Sequence, residues 1–133
     1  MIDYHIDVHR RVVTTRVTGR LTFADLANHF QRLIRDPKFS SDFNALIIAT
    51  NDDAVPSSGS VSALAPMVRA WSKRRTGVKW AFVLPSPAAR TFADSALNEL
   101  RLTSVATRCF LAESAALAWL EPQAAAKTAV AVK

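Results

Sequence analysis

Glycine, cysteine and long apolar runs are what this chain has least of, and each scarcity excludes something. Three glycines in 133 residues leave little for a backbone-lined phosphate cradle, which needs chain without Cβ atoms close to the anion. The single cysteine, Cys109, excludes an internal disulfide and suits a reducing compartment. Set in an apolar stretch, it reads as a buried thiol rather than a nucleophile. No apolar run approaches the roughly 20 residues of a membrane span, and Met1-Ile2-Asp3 does not open a signal peptide. A cytoplasmic protein without a membrane span is therefore expected. Also missing are an H-E-x-x-H pair, a nucleophile elbow and a Cys–His pair at informative spacing. Asp52 and Asp53 are adjacent, but neighbouring loop carboxylates usually point apart and stay solvated. No catalytic residue, metal set or cofactor is assigned, and the chain is expected not to be an enzyme.

What is present is a core. Half of the residues are hydrophobic, which excludes compositional disorder and suits one domain. The formal charge of +6 comes from cations spread along the chain, with one cluster at Lys73-Arg74-Arg75 and Lys79. Such a surface favours acidic partners or phosphate groups. The cluster also falls where a helix should end, and cations are favourable there for dipole reasons. Without interleaved exposed aromatics, nucleic acid is not the expected partner.

Tyr4–His9 alternates, with Tyr4, Ile6 and Val8 on one side and His5, Asp7 and His9 on the other, which predicts a half-buried strand. The polar side reads as solvated rather than metal-binding, because divalent sites draw on more than one element. Arg10-Arg11 turns the chain into a β-branched strand over Val12–Thr18. Thr22 caps the next helix, Asp25 completes a capping box, and Leu21 with Leu26 forms a hydrophobic staple. Phe23, Leu26, Phe30, Leu33 and Ile34 give its apolar stripe. His29 on that helix reads as a surface or boundary residue. Asp36-Pro37 stops the helix, and Phe39 and Phe43 anchor the connector.

Asn44–Gly59 is the central stretch. Leu46-Ile47-Ile48-Ala49 is a continuous apolar run, as in a strand covered on both faces. Thr50, Asn51, Asp52 and Asp53 break it with turn-formers, and Ser57 or Ser58 can cap the helix that follows. Val61, Leu64, Ala65, Val68 and Trp71 mark that helix, with an irregular or broken first part around Pro66 and an end near Arg75. Val78–Leu84 is a further strand. Ser86-Pro87 starts a third helix, which runs through Phe92, Ala93, Ala96, Leu97 and Leu100 to about Leu102. Val105–Leu111 is the last strand and Glu113–Leu120 a closing helix. The order is ββαβαβαβα: a single α/β domain over residues 1–121 with a mixed sheet, an antiparallel first hairpin and then parallel βαβ units. Residues 122–133 form an Ala-rich flexible tail.

This order resembles the STAS or SpoIIAA-like fold of bacterial anti-sigma-factor antagonists. Gly19-Arg20-Leu21-Thr22-Phe23-Ala24-Asp25-Leu26 is similar to the first-helix start of uncharacterised SpoIIAA-like proteins. Asp36-Pro37-x-Phe39 and Ala116-Leu117-Ala118-Trp119-Leu120 have the flavour of the same group. In phosphorylated antagonists, a strand and short loop lead into D-S-S-G or D-S-T-G, whose first hydroxyl residue is the phosphoacceptor. Pro56-Ser57-Ser58-Gly59 stands at the matching place, with Pro56 for the usual Asp and Ser60 for the usual aliphatic. The resemblance implies Ser57 as phosphoacceptor, with Ser58 and Gly59 shaping the turn. A phosphate there would be stabilised by free N–H groups and the helix dipole while adding charge to a docking surface. A helix cap without phosphorylation is the alternative.

Two functions follow as expectations. The first is a non-catalytic regulatory or protein-interaction domain. It would bind a protein partner, a kinase or regulator, through Thr50, Asn51, Asp52, Asp53, Gly59, Ser60 and the helix beyond, with homodimer formation open. The second takes the group's likeness to lipid-binding Sec14-type domains: a small anionic or apolar ligand between helix and sheet. Trp71, Trp80 and Phe82 would line that pocket, with Arg69, Lys73 or Arg74 at a head group.

Overall fold

The structure, a computed structural model, describes residues 1–40, 42–55, 58–72, 77–98 and 105–120. The chain enters through an antiparallel hairpin, β1 (Ile2–Asp7) and β2 (Val12–Val17), and continues into α1 (Phe23–Arg35). Three further strands follow, β3 (Asn44–Ala49), β4 (Lys79–Val83) and β5 (Ala106–Phe110). Between and after them run α2 (Ser58–Ser72), α3 (Pro87–Leu97) and α4 (Glu113–Leu120). The strands lie side by side in chain order, with β1 antiparallel to β2 and every later pairing parallel. The chain is thus α/β with a five-stranded mixed sheet.

The starts of the helices follow local chemistry. Thr22 Oγ1 accepts the Asp25 N–H (3.2 Å) and Asp25 Oδ2 accepts the Thr22 N–H (3.1 Å), a reciprocal box that satisfies two orphan donors. Ser86 Oγ accepts the Ala89 N–H (3.1 Å), and Pro87, which has no N–H to satisfy, takes the first helical position.

Four local expectations need correction. The first strand ends at Asp7, not His9, because Asp7 Oδ1 takes the Arg10 N–H (3.0 Å) and Arg11 adopts φ +59°, reversing the chain early. Val8 therefore sits exposed in the turn. In α1, Phe30 and Leu33 are buried but Phe23 and Ile34 are exposed. The inward arc runs through Leu26, His29, Phe30 and Leu33, so it is rotated away from the flank that carries Phe23 and Ile34. α2 is continuous through Pro66 rather than broken. Pro66 and Ser62, the residue whose carbonyl loses its N–H partner, are both exposed, so the missing bond faces water instead of the core. The expected ends of α2 and α3, and the tail from 122 onward, lie outside the described residues. Phe92, expected among the apolar positions of α3, is half-exposed; the buried side of α3 is Ala89, Ala93, Ala96 and Leu97.

The two faces of the sheet are covered differently. α4 lies across β3, β4 and β5, packing Ala116 and Leu120 onto Val12, Leu46, Ile48, Ala81 and Val83. Both ends of this helix are fastened. Arg16 reaches Glu113 (3.4 Å) in its first turn, and Asn44 Nδ2 donates to the Leu120 carbonyl (3.2 Å). Asn44 Oδ1 also accepts the Lys79 N–H (2.9 Å), while Lys79 Nζ donates to the Trp119 carbonyl (3.4 Å) and lies over the Trp119 ring. A cation and an amide thus satisfy carbonyls that a helix C-terminus leaves orphaned. The opposite face carries α1, α2 and α3, with the larger core built from Val61, Ala65 and Val68 of α2 and the alanine side of α3.

Candidate functional site

Alternation along the strands sends Thr15, Ile47, Phe82 and Cys109 to the α1–α3 face in one hydrogen-bonded row, and Val13, Ala45 and Trp80 in the next. Their neighbours Leu46 and Ala81 point at α4 and are buried. Central strands covered by helices on both faces should be buried on both. Here they are not: Ala45, Ile47, Trp80 and Phe82 keep solvent-accessible surface. In the helix layer, α1 meets α2 and α2 meets α3. A partly enclosed cavity of about 110 Å³ lies in this layer, walled by α1, α2 and the sheet. Leu26 and Phe30 of α1, Val61 of α2, and Ile47, Trp80 and Phe82 of the sheet are among its walls. Phe30 meets Trp80 edge to face, with ring centroids 6.4 Å apart.

Three of the lining side chains carry polar atoms: Thr15, His29 and, through its indole N–H, Trp80. Thr15 is 2% exposed, and its Oγ1 lies 3.2 Å from His29 Nε2, a hydrogen bond whose direction depends on the imidazole tautomer. Burial holds His29 neutral, and the Arg32 guanidinium adds to this; the imidazole is lowered to about 4. Tyr4 stands edge-on to His29 at 5.5 Å and donates through its hydroxyl to Asp36 Oδ2 (2.8 Å). That bond raises the Tyr4 phenol above its ordinary value. Asp36 is lowered, first by the Lys38 N–H and then by Tyr4. Arg32 lies over the outer ring of this network, 5.9 Å from the Tyr4 centroid. Cys109, farther along the same sheet face, is buried, and burial followed by the nearby Asp94 carboxylate pushes its thiol up to about 12. Such a thiol does not ionise near neutral pH.

The chain matches no protein-family model, no curated protein and no solved structure.

A second concavity, open and of about 650 Å³, lies at the carboxyl ends of the parallel strands. Arg20, Thr22, Asp52, Asp53, Ser86 and Phe92 line it. Of the loop residues expected to meet a partner, Asp52 and Asp53 are exposed there. Thr50 and Asn51 are turned to structural work instead. Thr50 Oγ1 donates to the Val17 carbonyl (2.9 Å), Asn51 Oδ1 accepts the Gly19 N–H (2.9 Å), and Asn51 Nδ2 donates back to the Gly19 carbonyl (3.4 Å). With Leu21 N–H donating to the Asp53 carbonyl (3.0 Å), these bonds extend the β2–β3 pairing into the loops beyond. Gly19 can take part because its φ of +80° is accessible to glycine.

Gly59 is exposed and Ser60 half-buried in the first turn of α2. Ser58 stands at the start of α2, and its side chain lies outside what is described. Ser57 lies outside the described residues, as do Lys73 and Arg74 and the side chain of Trp71. Arg69 is exposed on α2 and does not line the cavity. Among the described residues, no group of three His, Cys, Asp or Glu side chains could hold a metal ion, and His5, Asp7 and His9 form no such cluster. His29 is the site residue that sequence reasoning missed. It follows Leu26 by three positions and precedes Leu33 by four, which places it on the buried arc. That spacing was the available signal.

Proposed function

We propose that this is a non-catalytic small-ligand-binding domain, whose site is the cavity between α1, α2 and the sheet. One observation carries the reading. The central strands are buried toward α4 yet keep accessible Ile47, Trp80 and Phe82 surface toward α1 and α2. Accessible apolar surface on Ile47 and Phe82 forgoes dispersion contacts and hydrophobic transfer free energy, and an apolar ligand would restore both. The size favours one ring or a few carbons, since an apolar cavity of roughly 150 Å³ in another protein takes up benzene. Of the cations expected at a head group, Arg69 is not at the cavity, Lys73 and Arg74 lie outside the described residues, and the Thr15–His29 pair is uncharged.

Toluene is a suitable first probe. Saturable binding by calorimetry, with a raised Tm, is expected for the natural chain. Ala45→Leu, which fills the space between Val13 and Trp80 in the sheet row, should abolish that binding while the protein stays folded. Absence of any saturable heat and any Tm shift with toluene or a close relative would remove the reading.

The groove at the strand ends favours a second reading, the STAS-like one. Open α/β sheets present ligands and partners at the carboxyl ends of their strands. Asp52, Asp53 and half-exposed Phe92 offer a mixed acidic and aromatic surface there. A protein partner docking on this end, regulated by phosphate on Ser57, is that reading's content. Intact-mass and phosphopeptide analysis of protein from its native cells tests it: unmodified Ser57 and Ser58 under several growth conditions would remove the phosphorylation switch.

A further inference from the structure

Besides the indole N–H of Trp80, the cavity wall carries one polar pair, and the chemistry of that pair restricts what can fill it. Thr15 and His29 lie 3.2 Å apart on adjoining walls, one from β2 and one from α1. A threonine hydroxyl offers one donor and two acceptor positions. Among the described residues His29 is the hydrogen-bond partner of the Thr15 hydroxyl, so most of that capacity is unused. Thr15 is 2% exposed, so solvent outside the protein cannot use it. The cavity is the space from which a further hydrogen bond can come.

Charge then narrows the class. A carboxylate entering this space would need a cation, and the pair supplies none, because His29 stays neutral at ordinary pH. The guanidinium that acts on His29, that of Arg32, lies over the Tyr4 ring. An unpaired ion in an apolar cavity is strongly disfavoured. A pure hydrocarbon, in turn, leaves the Thr15 hydroxyl as it is and gains only packing.

We infer that the ligand is a neutral molecule of one ring or a short chain bearing a single hydroxyl group, phenol-like in character, whose hydroxyl joins the Thr15–His29 pair while its apolar body lies against Trp80, Phe82 and Leu26. This rests on the ligand-binding reading above and sharpens it. A phenol hydroxyl can donate to whichever of the two atoms is free to accept and can accept in return, so either imidazole tautomer serves. The apolar body packs on the accessible Ile47 and Phe82 surface of the sheet.

Calorimetric titration of the full chain with toluene, p-cresol and p-toluate decides it. These probes share a ring and a methyl group and differ only in the second substituent. p-Cresol should bind about fivefold or more tighter than toluene, the increment expected of one net hydrogen bond, and p-toluate should show no saturable binding. In a site without a hydrogen-bond partner the order would reverse, because burying the hydroxyl unpaired carries a penalty. Thr15→Val, close in shape and without the hydroxyl, should lose the p-cresol advantage while toluene binding stays within about twofold of the natural chain. His29→Phe should act in the same direction on the ligand order. Toluene binding as tightly as p-cresol in the natural chain, or p-toluate binding more tightly than both, would overturn this inference and leave the ligand-binding reading standing. Binding by none of the three would overturn both. The comparison on the natural chain needs no variant to fold.

Discussion

His29 is kept uncharged by its surroundings, and this has a thermodynamic signature. Its imidazole is lowered to about 4, mainly by burial against the cavity wall and next by Arg32. In the unfolded chain a histidine titrates near 6.5. Above that value both states are neutral there and the fold is not penalised. As pH falls from about 6.5 towards 4, the unfolded chain takes up a proton that the folded site refuses, so stability declines through that window and levels off below it. The groups facing His29 are Arg32, Tyr4 and Thr15. Tyr4, whose phenol is raised, stays neutral over this range, and Asp36, whose carboxyl is lowered, adds a loss only as pH falls towards and below its ordinary value of 3.8. Because His29 retains some solvent contact, a loss on the order of 1–2 kcal/mol is expected, less than the full shift would give. Urea unfolding at pH 7 and pH 4.5 measures it, and His29→Phe should flatten the difference. A natural chain equally stable at both pH values would show that the imidazole is not held neutral.

At the scale of elements, α1 is secured at its start by a device wholly visible in the sequence. The reciprocal Thr22–Asp25 bonds join two residues three apart, so no tertiary information is needed to see them. Thr22→Ala should lower stability by about 1 kcal/mol, read as a shifted urea midpoint at unchanged slope. An unchanged midpoint would mean that the helix is held by packing alone. The Ser86-Pro87 start of α3 was legible for the same reason, and so was the order of strands and helices. Element ends were less so. The Asp7 side chain, not a change in hydrophobic pattern, closes β1. The apolar stripe of α1 is right for Leu26, Phe30 and Leu33 and wrong for Phe23 and Ile34, which hydrophobicity alone assigns to the interior. The fold instead turns His29 inward, next to a threonine from β2 that is far away in sequence. A pairing of that kind depends on sheet register and helix rotation, neither of which local spacing contains. Pro66 misled in the opposite sense. The residue type argues for a break, but the cost is small where the orphaned carbonyl faces water.

On the scale of the whole molecule, the asymmetry of the two faces was not legible at all. β3 reads as an evenly apolar run, and nothing in Leu46-Ile47-Ile48 says that alternate members meet different packing. α4, fastened at both ends by Arg16, Asn44 and Lys79, seals its side. The layer of α1 and α2 does not seal the other. Among the described residues, no helix is long and apolar enough to cross a membrane.

That cavity also makes the protein sensitive to compression. Internal voids disappear when a chain unfolds, so hydrostatic pressure drives such proteins toward the unfolded state, with volume changes of roughly 20–100 mL/mol. A void of about 110 Å³ on one face of the sheet should make this protein yield to pressure at the α1–α2 side first. High-pressure NMR should detect early signal loss there, with β3 and β4 amides under α4 persisting longer. Ala45→Leu, by occupying the void, should raise the midpoint pressure. Uniform loss across both faces would mean that the void is not where the molecule stores its compressible volume. A solute that fills the space would then act as ballast, hardening the protein against pressure as it stabilises it against heat.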